Sequence, residues 1–136
     1  MYIDTSAIGL ILLNQGGADS AQSVVDTAAR TDKLVSSVLL RIETARLAHR
    51  ARIDQEAATQ ALSDVALVSI NDDVIERACS FVGELKSLDA IHLATAVMLD
   101  DPRDPVTVLT HDARLANAAR AQGLNAHDPA LPPAQA

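Results

Sequence analysis

Four acidic residues of this chain lie either just after a predicted strand or within a predicted helix. Asp4 and Asp112 each follow a strand-like apolar segment. Asp89 lies in the first turn of a predicted helix, and Glu43 lies within another. Carboxylate oxygens are the hard ligands that Mg²⁺ and Mn²⁺ prefer, and such an ion offsets charge on a phosphoryl group while lowering the pKa of a bound water. The four acids therefore suggest metal-dependent hydrolysis of a phosphodiester.

Each of these acids also has an ordinary structural explanation. An aspartate just before a helix, like Asp4 or Asp112, commonly caps free backbone N–H groups, and Asp89 in a first turn meets the helix dipole favourably. Glu43 has arginines three and seven residues later, so a surface ion pair is an alternative for it. With 18 acidic residues in the chain, a set of four is easily chosen. Their spacing alone leaves both explanations open.

The elements that would position these acids can be read from apolar periodicity and turn signals. Strands are predicted over residues 1–4, 34–37, 65–70, 106–110 and 124–126. Helices are predicted over residues 8–12, 21–29, 38–52, 54–62, 74–85, 87–97 and 113–121, with Asn71 as a cap. Alternation of strands and helices predicts an α/β sandwich with a parallel sheet, in which functional residues follow the carboxyl ends of strands.

Composition limits the classes of protein that this chain can be. A length of 136 residues, 49% of them hydrophobic, suits one compact domain. No apolar run approaches a membrane span and the amino terminus lacks the pattern of a secretion signal, so we expect a cytoplasmic protein that does not enter a membrane. The single cysteine, Cys79, lies among apolar residues at helical spacing, which predicts a buried packing role.

Charge and aromatic content restrict how nucleic acid could be bound. A net charge of −7 argues against nonspecific coating of nucleic acid, which depends on Lys and Arg displacing counterions. Tyr2 and Phe81 are the only aromatic residues, so bases cannot be held on stacked rings. We therefore expect any nucleic acid to be recognised through its phosphates, through a bound metal and through its shape.

Four segments around the acids resemble the motifs of the PIN domain and, within it, of the VapC-type toxins of bacterial toxin–antitoxin pairs. The opening motif is similar to YIDTSA around Asp4, and the second motif to SSVLLRIE, which ends at Glu43. The third is very similar to LDAIHLATA around Asp89, and the fourth resembles VLTHDARLANAA around Asp112. The match is in the right order and covers residues 1–128, leaving a Pro- and Ala-rich tail, 129–136, that is predicted to be disordered.

This resemblance implies a PIN-like α/β/α sandwich with a central parallel sheet of four to five strands, and Mg²⁺- or Mn²⁺-dependent endonucleolytic cleavage of RNA. The implied metal-binding and catalytic acids are Asp4, Glu43, Asp89 and Asp112. Family members differ in their use of the last acid, so the resemblance does not decide whether Asp112 ligates the metal directly. Hydroxyl positions near the family's site are matched by Thr5, Ser6 and Thr110, which could orient a carboxylate or a metal-bound water.

A toxin of this type implies a cognate VapB-type antitoxin, an RNA substrate and a homodimer. The antitoxin's arginine would neutralise the acids in place of the metal, and an acidic toxin suits a basic inhibitor segment. Basic residues on the helix of Glu43 are candidate RNA-phosphate contacts, although a solvated helix face explains them equally well. They are Arg41, Arg46 and Arg50, with His49 and Arg52 nearby. His92, three residues after Asp89, is interpreted as a packing or hydrogen-bonding residue.

Two other classes of function compete with the nuclease interpretation. A phosphoryl-accepting receiver domain needs a lysine after a late strand, whereas the only lysines, Lys33 and Lys86, precede the second strand and the Asp89 helix. A non-catalytic PIN-like module that binds RNA or protein is the remaining alternative. The presence of all four acids favours the nuclease over that module.

Overall fold

The structure, a computed structural model, describes residues 1–132. In the segment after the last strand, Pro129 is buried and the backbone N–H of Ala130 donates to the Asp128 carboxylate at 2.9 Å. The sequence predicted disorder over residues 129–136. Of these, residues 133–136 lie outside the described residues.

Seven α-helices and five short strands alternate along the described residues, as the apolar periodicity predicts. The strands are β1 (Tyr2–Ile3), β2 (Leu34–Ser37), β3 (Val65–Val68), β4 (Thr107–Leu109) and β5 (Asn125–His127). The helices are α1 (Thr5–Leu12), α2 (Ala18–Thr31), α3 (Leu39–Ala51), α4 (Gln55–Ala61), α5 (Asp72–Ser80), α6 (Ser87–Leu99) and α7 (Ala113–Ala121). None of these described helices is both long and apolar enough to cross a membrane.

The five strands form one all-parallel sheet in the order β3-β2-β1-β4-β5. Tyr2 in β1 pairs with Val35 of β2 on one side and with Val108 of β4 on the other. Parallel neighbours require crossover connections, which the helices provide. The predicted α/β sandwich with four to five parallel strands is therefore confirmed, with five strands.

Two apolar clusters cover the two faces of the sheet. One contains β1 residue Ile3 together with residues of α1 and α2, and the other contains Tyr2 together with residues of α6 and α7. Successive strand residues point to opposite faces, so these two neighbours reach different clusters. Both are 0% exposed, which leaves β1 as the fully buried centre of the sheet and puts Asp4 directly at its carboxyl end.

Helix α5 corrects one prediction from the sequence. Cys79, expected in the core, is exposed, as is Ile75, whereas Val74 is buried and Ala78 is partly so. Residues 74 and 78 lie one above the other on the face that packs on α6, and residues 75 and 79 lie about 100° further round the helix. Periodicity identified an apolar stripe but could not tell how much of its width the neighbouring helix covers.

Helix α5 is also shorter than predicted. The extended backbone of Phe81 ends the helix at Ser80, five residues before the predicted end at residue 85. Val82 then lies beyond the helix and is 98% exposed, so it takes no part in the packing of α5.

Candidate active site

Asp4 is a buried carboxylate at the centre of the sheet's carboxyl edge. It is 4% exposed and accepts hydrogen bonds from the Ser6 hydroxyl (2.8 Å), the Thr110 hydroxyl (2.7 Å) and the backbone N–H of Ala7 (3.2 Å). Burial raises the pKa of Asp4, although these hydrogen bonds oppose the rise. Three donors on about four lone-pair sites leave room for one more partner, such as a cation.

The hydroxyls of Ser6 and Thr110 connect Asp4 to the backbone that follows β4. Ser6 Oγ accepts from the N–H of His111 at 2.8 Å, and Thr110 Oγ1 accepts from the N–H of Asp112 at 3.1 Å. Each hydroxyl thus accepts from the β4–α7 turn and donates to the carboxylate at the end of β1. The two neighbouring strand ends are held together through Asp4.

Glu43 is reached from two other elements. Its Oε1 accepts from the Thr5 hydroxyl at 2.8 Å and lies 2.6 Å from His92 Nε2. Burial by itself would raise the pKa of Glu43, but the hydrogen bond and charge of His92 and the Thr5 hydrogen bond outweigh it and leave that pKa lowered. Glu43 therefore pairs with His92 of α6, and no ion pair to the arginines of its own helix is formed within residues 1–132.

Asp89 and Asp112 complete the predicted set. They line a pocket of about 230 Å³ together with Lys86 and Arg114. Burial raises the pKa of Asp89, followed by the negative charge of Asp112, with a smaller contribution from Glu43. Carboxylates from α3 and from the start of α7 thus lie near enough to the carboxylate of Asp89 on α6 to affect its ionisation.

The capping explanation also holds for two of the acids. Asp4 is the N-cap of α1, and Asp112 is the N-cap of α7, accepting from the N–H groups of Arg114 (2.9 Å) and Leu115 (3.4 Å). A capping carboxylate uses only part of its lone pairs, so capping and cation binding do not exclude each other.

The residues present have the chemistry of a hard-cation site. Within residues 1–132, no three His, Cys, Asp or Glu side chains are grouped closely enough to form a complete metal site as they stand. The fit is instead in the donor set and its electrostatics. The carboxylate oxygens are suitable ligands, and a divalent cation would relieve both the burial of charge and the repulsion that raise the pKa of Asp89. The roles of Asp4, Glu43, Asp89 and Asp112 as ligands stay a prediction.

The arginines that the sequence singled out do not line this pocket. Arg41, Arg46 and Arg50 are exposed on α3, and Arg41 borders a different cavity, between α3 and α4. The pocket with Asp89 and Asp112 instead contains Lys86 and Arg114, which sequence reasoning did not propose as contacts. The sequence signal that could have identified Lys86 and Arg114 was their closeness in the chain to Asp89 and Asp112.

Tyr2 is the other residue that sequence reasoning did not connect with the site. Its hydroxyl lies 2.6 Å from His92 Nδ1, and both side chains are buried. The interpretation of His92 as a hydrogen-bonding residue agrees with this geometry. No sequence signal joins the two, since they are 90 residues apart.

Comparison with known proteins gives the chain its family. The profile of the PIN domain matches residues 1–121. Ribonuclease VapC46 of Mycobacterium tuberculosis is 32% identical over 126 residues, covering 91% of this chain and 93% of that protein. A solved toxin-antitoxin complex from Klebsiella pneumoniae has the same fold in one chain, with a TM-score of 0.68 and 23% identity over 94% of this chain and 96% of that one. This protein therefore belongs to the PIN domain family, with VapC46 as a relative along almost its entire length.

Proposed function

We propose that this protein is a metal-dependent endoribonuclease that acts as the toxin of a toxin–antitoxin pair. The relative VapC46 is named a ribonuclease, and the Klebsiella structure is a toxin-antitoxin complex. The observation that carries the proposal is the carboxyl edge of the sheet, where buried Asp4 lies at the end of the central strand. Asp112 and Glu43 are each near enough to Asp89 for their negative charge to raise its pKa, in addition to its burial.

Asp4, Glu43, Asp89 and Asp112 would hold Mg²⁺ or Mn²⁺. When bound, the ion supplies charge neutralisation at a phosphodiester and a water of lowered pKa. The chain's own contribution is to fix the acids: Ser6 and Thr110 orient Asp4, and Thr5 orients Glu43. Orienting hydrogen bonds of this kind support a metal site because they hold the ligands in place before the ion arrives.

Lys86 and Arg114 are the cations best placed to meet RNA. Both line the pocket of Asp89 and Asp112, where the chain would otherwise present only negative charge to a phosphate backbone. A guanidinium binds a phosphate with two parallel N–H donors, and an ammonium acts as a point charge. We assign them the contact to phosphates flanking the cleaved bond, with Arg41, Arg46 and Arg50 as more distant contacts.

The same acids would bind an inhibitor. A basic segment of a cognate VapB-type antitoxin can neutralise the carboxylates with an arginine in place of the metal. The net charge of −7 favours such a partner electrostatically. We also propose a homodimer in the cytoplasm, as the VapC resemblance implies, and sedimentation of the purified chain measures its mass directly.

The test is cleavage of a mixed tRNA and mRNA pool with Mg²⁺, with Mn²⁺ and with EDTA. We expect metal-dependent cutting by the wild type and none by Asp89→Asn. The matched control is Asp73→Asn, because Asp73 is also in the first turn of a helix, α5, but is exposed and away from the pocket. Full cutting by Asp89→Asn would refute the assignment of that acid, and no cutting by wild type under any condition would favour a non-catalytic module.

A further inference from the structure

A buried chain of hydrogen bonds runs from the middle of the sheet to Glu43. The Tyr2 hydroxyl lies 2.6 Å from Nδ1 of His92, and Nε2 of the same ring lies 2.6 Å from Oε1 of Glu43. Tyr2 is 0% and His92 2% exposed. The backbone N–H of Ser37, at the end of β2, donates to the Tyr2 hydroxyl at 3.2 Å. The chain thus joins β2, β1, α6 and α3.

The direction of these bonds follows from the groups themselves. A glutamate that binds a cation is ionised and its carboxylate can only accept, so His92 Nε2 carries the hydrogen in the 2.6 Å bond to Oε1. In a neutral ring Nδ1 accepts from the Tyr2 hydroxyl, whereas in a protonated ring Nδ1 donates to the hydroxyl oxygen, and the bond from Nε2 to Oε1 is the same in both cases. The Tyr2 hydroxyl and both ring nitrogens of His92 therefore each have a hydrogen-bond partner.

The consequence is a glutamate held by one oxygen. Thr5 and His92 both donate to Oε1, whereas Oε2 receives no side-chain hydrogen bond from residues 1–132. A glutamate side chain has several rotatable bonds, and holding it in one rotamer costs conformational entropy. Fixing Oε1 before an ion binds removes part of that cost from the binding step and leaves Oε2 free for the ion.

We infer that Tyr2 and His92 are positioning residues that hold Glu43 ready for the divalent cation. The inference rests on the proposed function, since it gives these two residues a task only if Glu43 is a ligand. Neither residue touches the ion or the RNA; both act through the Glu43 carboxylate. Outer partners of metal ligands usually change metal affinity or activity by about 10- to 100-fold when removed.

The experiment is Mn²⁺ binding to the full chain without RNA, measured by calorimetry, together with RNA cleavage. Tyr2→Phe keeps the ring and removes only the hydroxyl, and His92→Phe removes both hydrogen bonds. We expect each variant to bind Mn²⁺ about 10-fold more weakly or worse, with His92→Phe the weaker. His92→Gln keeps an N–H donor within reach of Glu43 and should recover part of the affinity.

A double substitution separates positioning from general damage to the fold. In a Glu43→Gln background, adding Tyr2→Phe should not weaken Mn²⁺ binding further, because its effect passes through the missing carboxylate. The matched control is Thr44→Val, which removes a buried hydroxyl from the residue next to Glu43 that has no hydrogen-bond partner within residues 1–132. This control should bind Mn²⁺ as the wild type does.

The outcomes distinguish the two proposals. If the wild type binds Mn²⁺ and cuts RNA but Tyr2→Phe and His92→Phe bind the ion equally well, the positioning inference is wrong and the proposed function stands. The inference is also wrong if Tyr2→Phe weakens binding as much in the Glu43→Gln background as in the wild type. If the wild type neither binds Mn²⁺ nor cuts RNA, the proposed function fails and the inference fails with it.

Discussion

Individual carboxylates at the edge of this sheet show how burial and charge compete within one site. The pKa of Asp4 is raised by burial in spite of three hydrogen-bond donors. Glu43 has the opposite outcome, because His92 and Thr5 outweigh its burial. Asp89 accepts no side-chain hydrogen bond among the described residues, and burial followed by the negative charges of Asp112 and Glu43 raises its pKa against the opposing charges of His92 and Lys86. The folded chain therefore keeps carboxylates in an arrangement that a cation would stabilise.

The raised pKa of Asp89, caused by burial and then by the charge of Asp112, predicts how Asp89→Asn changes stability in EDTA. A raised pKa means that the folded state holds the proton more tightly than the unfolded state, so this group's contribution falls as pH rises through the raised pKa. Asp89→Asn removes that loss and should stabilise the metal-free chain at pH 7.5 by up to about 1 kcal/mol, since solvent screens a partly exposed carboxylate. Urea unfolding at pH 7.5 and at pH 4 measures it. The gain should shrink at pH 4; an equal gain at both values would mean that charge is not its cause.

Thr44 provides a residue-scale prediction outside the site. Its hydroxyl is buried on α3 and has no partner within residues 1–132. An unpaired buried hydroxyl costs about 1–3 kcal/mol, so Thr44→Val should raise the free energy of unfolding by about 1 kcal/mol. Thermal unfolding checks this, and a loss of stability would reveal a partner for the hydroxyl.

The helix starts of this protein combine two tasks in the same residues. Asp4, Asp54, Asn71 and Asp112 each accept a hydrogen bond from the first turn of the following helix. Two of these caps, Asp4 and Asp112, also lie at the candidate site. A helix start after a parallel strand lies at the carboxyl edge of the sheet, so one aspartate can both cap the helix and face a ligand.

Substitutions at Asp112 can separate its two tasks. Asp112→Asn keeps an N-cap acceptor but removes the charge, whereas Asp112→Ala removes both. We expect unchanged stability for Asn and a loss of about 1 kcal/mol for Ala, with RNA cleavage reduced in both. If Asp112→Asn cuts RNA as fast as the wild type does, the residue is a cap only. Asn71→Ala is the control, because it removes a cap from α5 without approaching the site.

At the scale of the whole molecule, the proposed function requires an acidic protein to bind an acidic substrate, RNA. The net charge of −7 repels RNA overall, so local cations have to decide where the backbone is held. Lys86 and Arg114 flank the pocket of Asp89 and Asp112. Arg30, in the last turn of α2 before β2, lies at the amino-terminal edge of the sheet instead. Both edges of the sheet therefore carry positively charged side chains, but only Lys86 and Arg114 lie beside the candidate site.

This difference predicts unequal effects of two arginine substitutions. Arg114→Gln should raise the KM for RNA several-fold and leave kcat nearly unchanged, because a phosphate contact contributes to binding of substrate and transition state alike. Its KM should also depend less on salt concentration. Arg30→Gln should change neither quantity. Steady-state cleavage at two salt concentrations gives both, and equal effects would indicate that only the overall charge matters.

The sequence by itself determined the elements and the motif positions. Apolar periodicity, caps such as Asn71 and the glycine after α7 depend on neighbours within a few residues, which is why all seven helices and five strands of the described residues were predicted. It also placed Asp4 and Asp112 after strands, where the parallel sheet brings them to one edge. These features depend on interactions between residues close in the sequence, so they can be predicted from the sequence alone.

Only the tertiary structure decided which distant groups meet. The bonds from Thr110 to Asp4, from Tyr2 to His92 and from His92 to Glu43 join residues 106, 90 and 49 positions apart. The order of the strands and the packing of α6 against the sheet create these contacts, and no periodicity encodes them. The same reason explains Cys79: an apolar stripe marks a helix face, but the width that is buried depends on the neighbour that covers it.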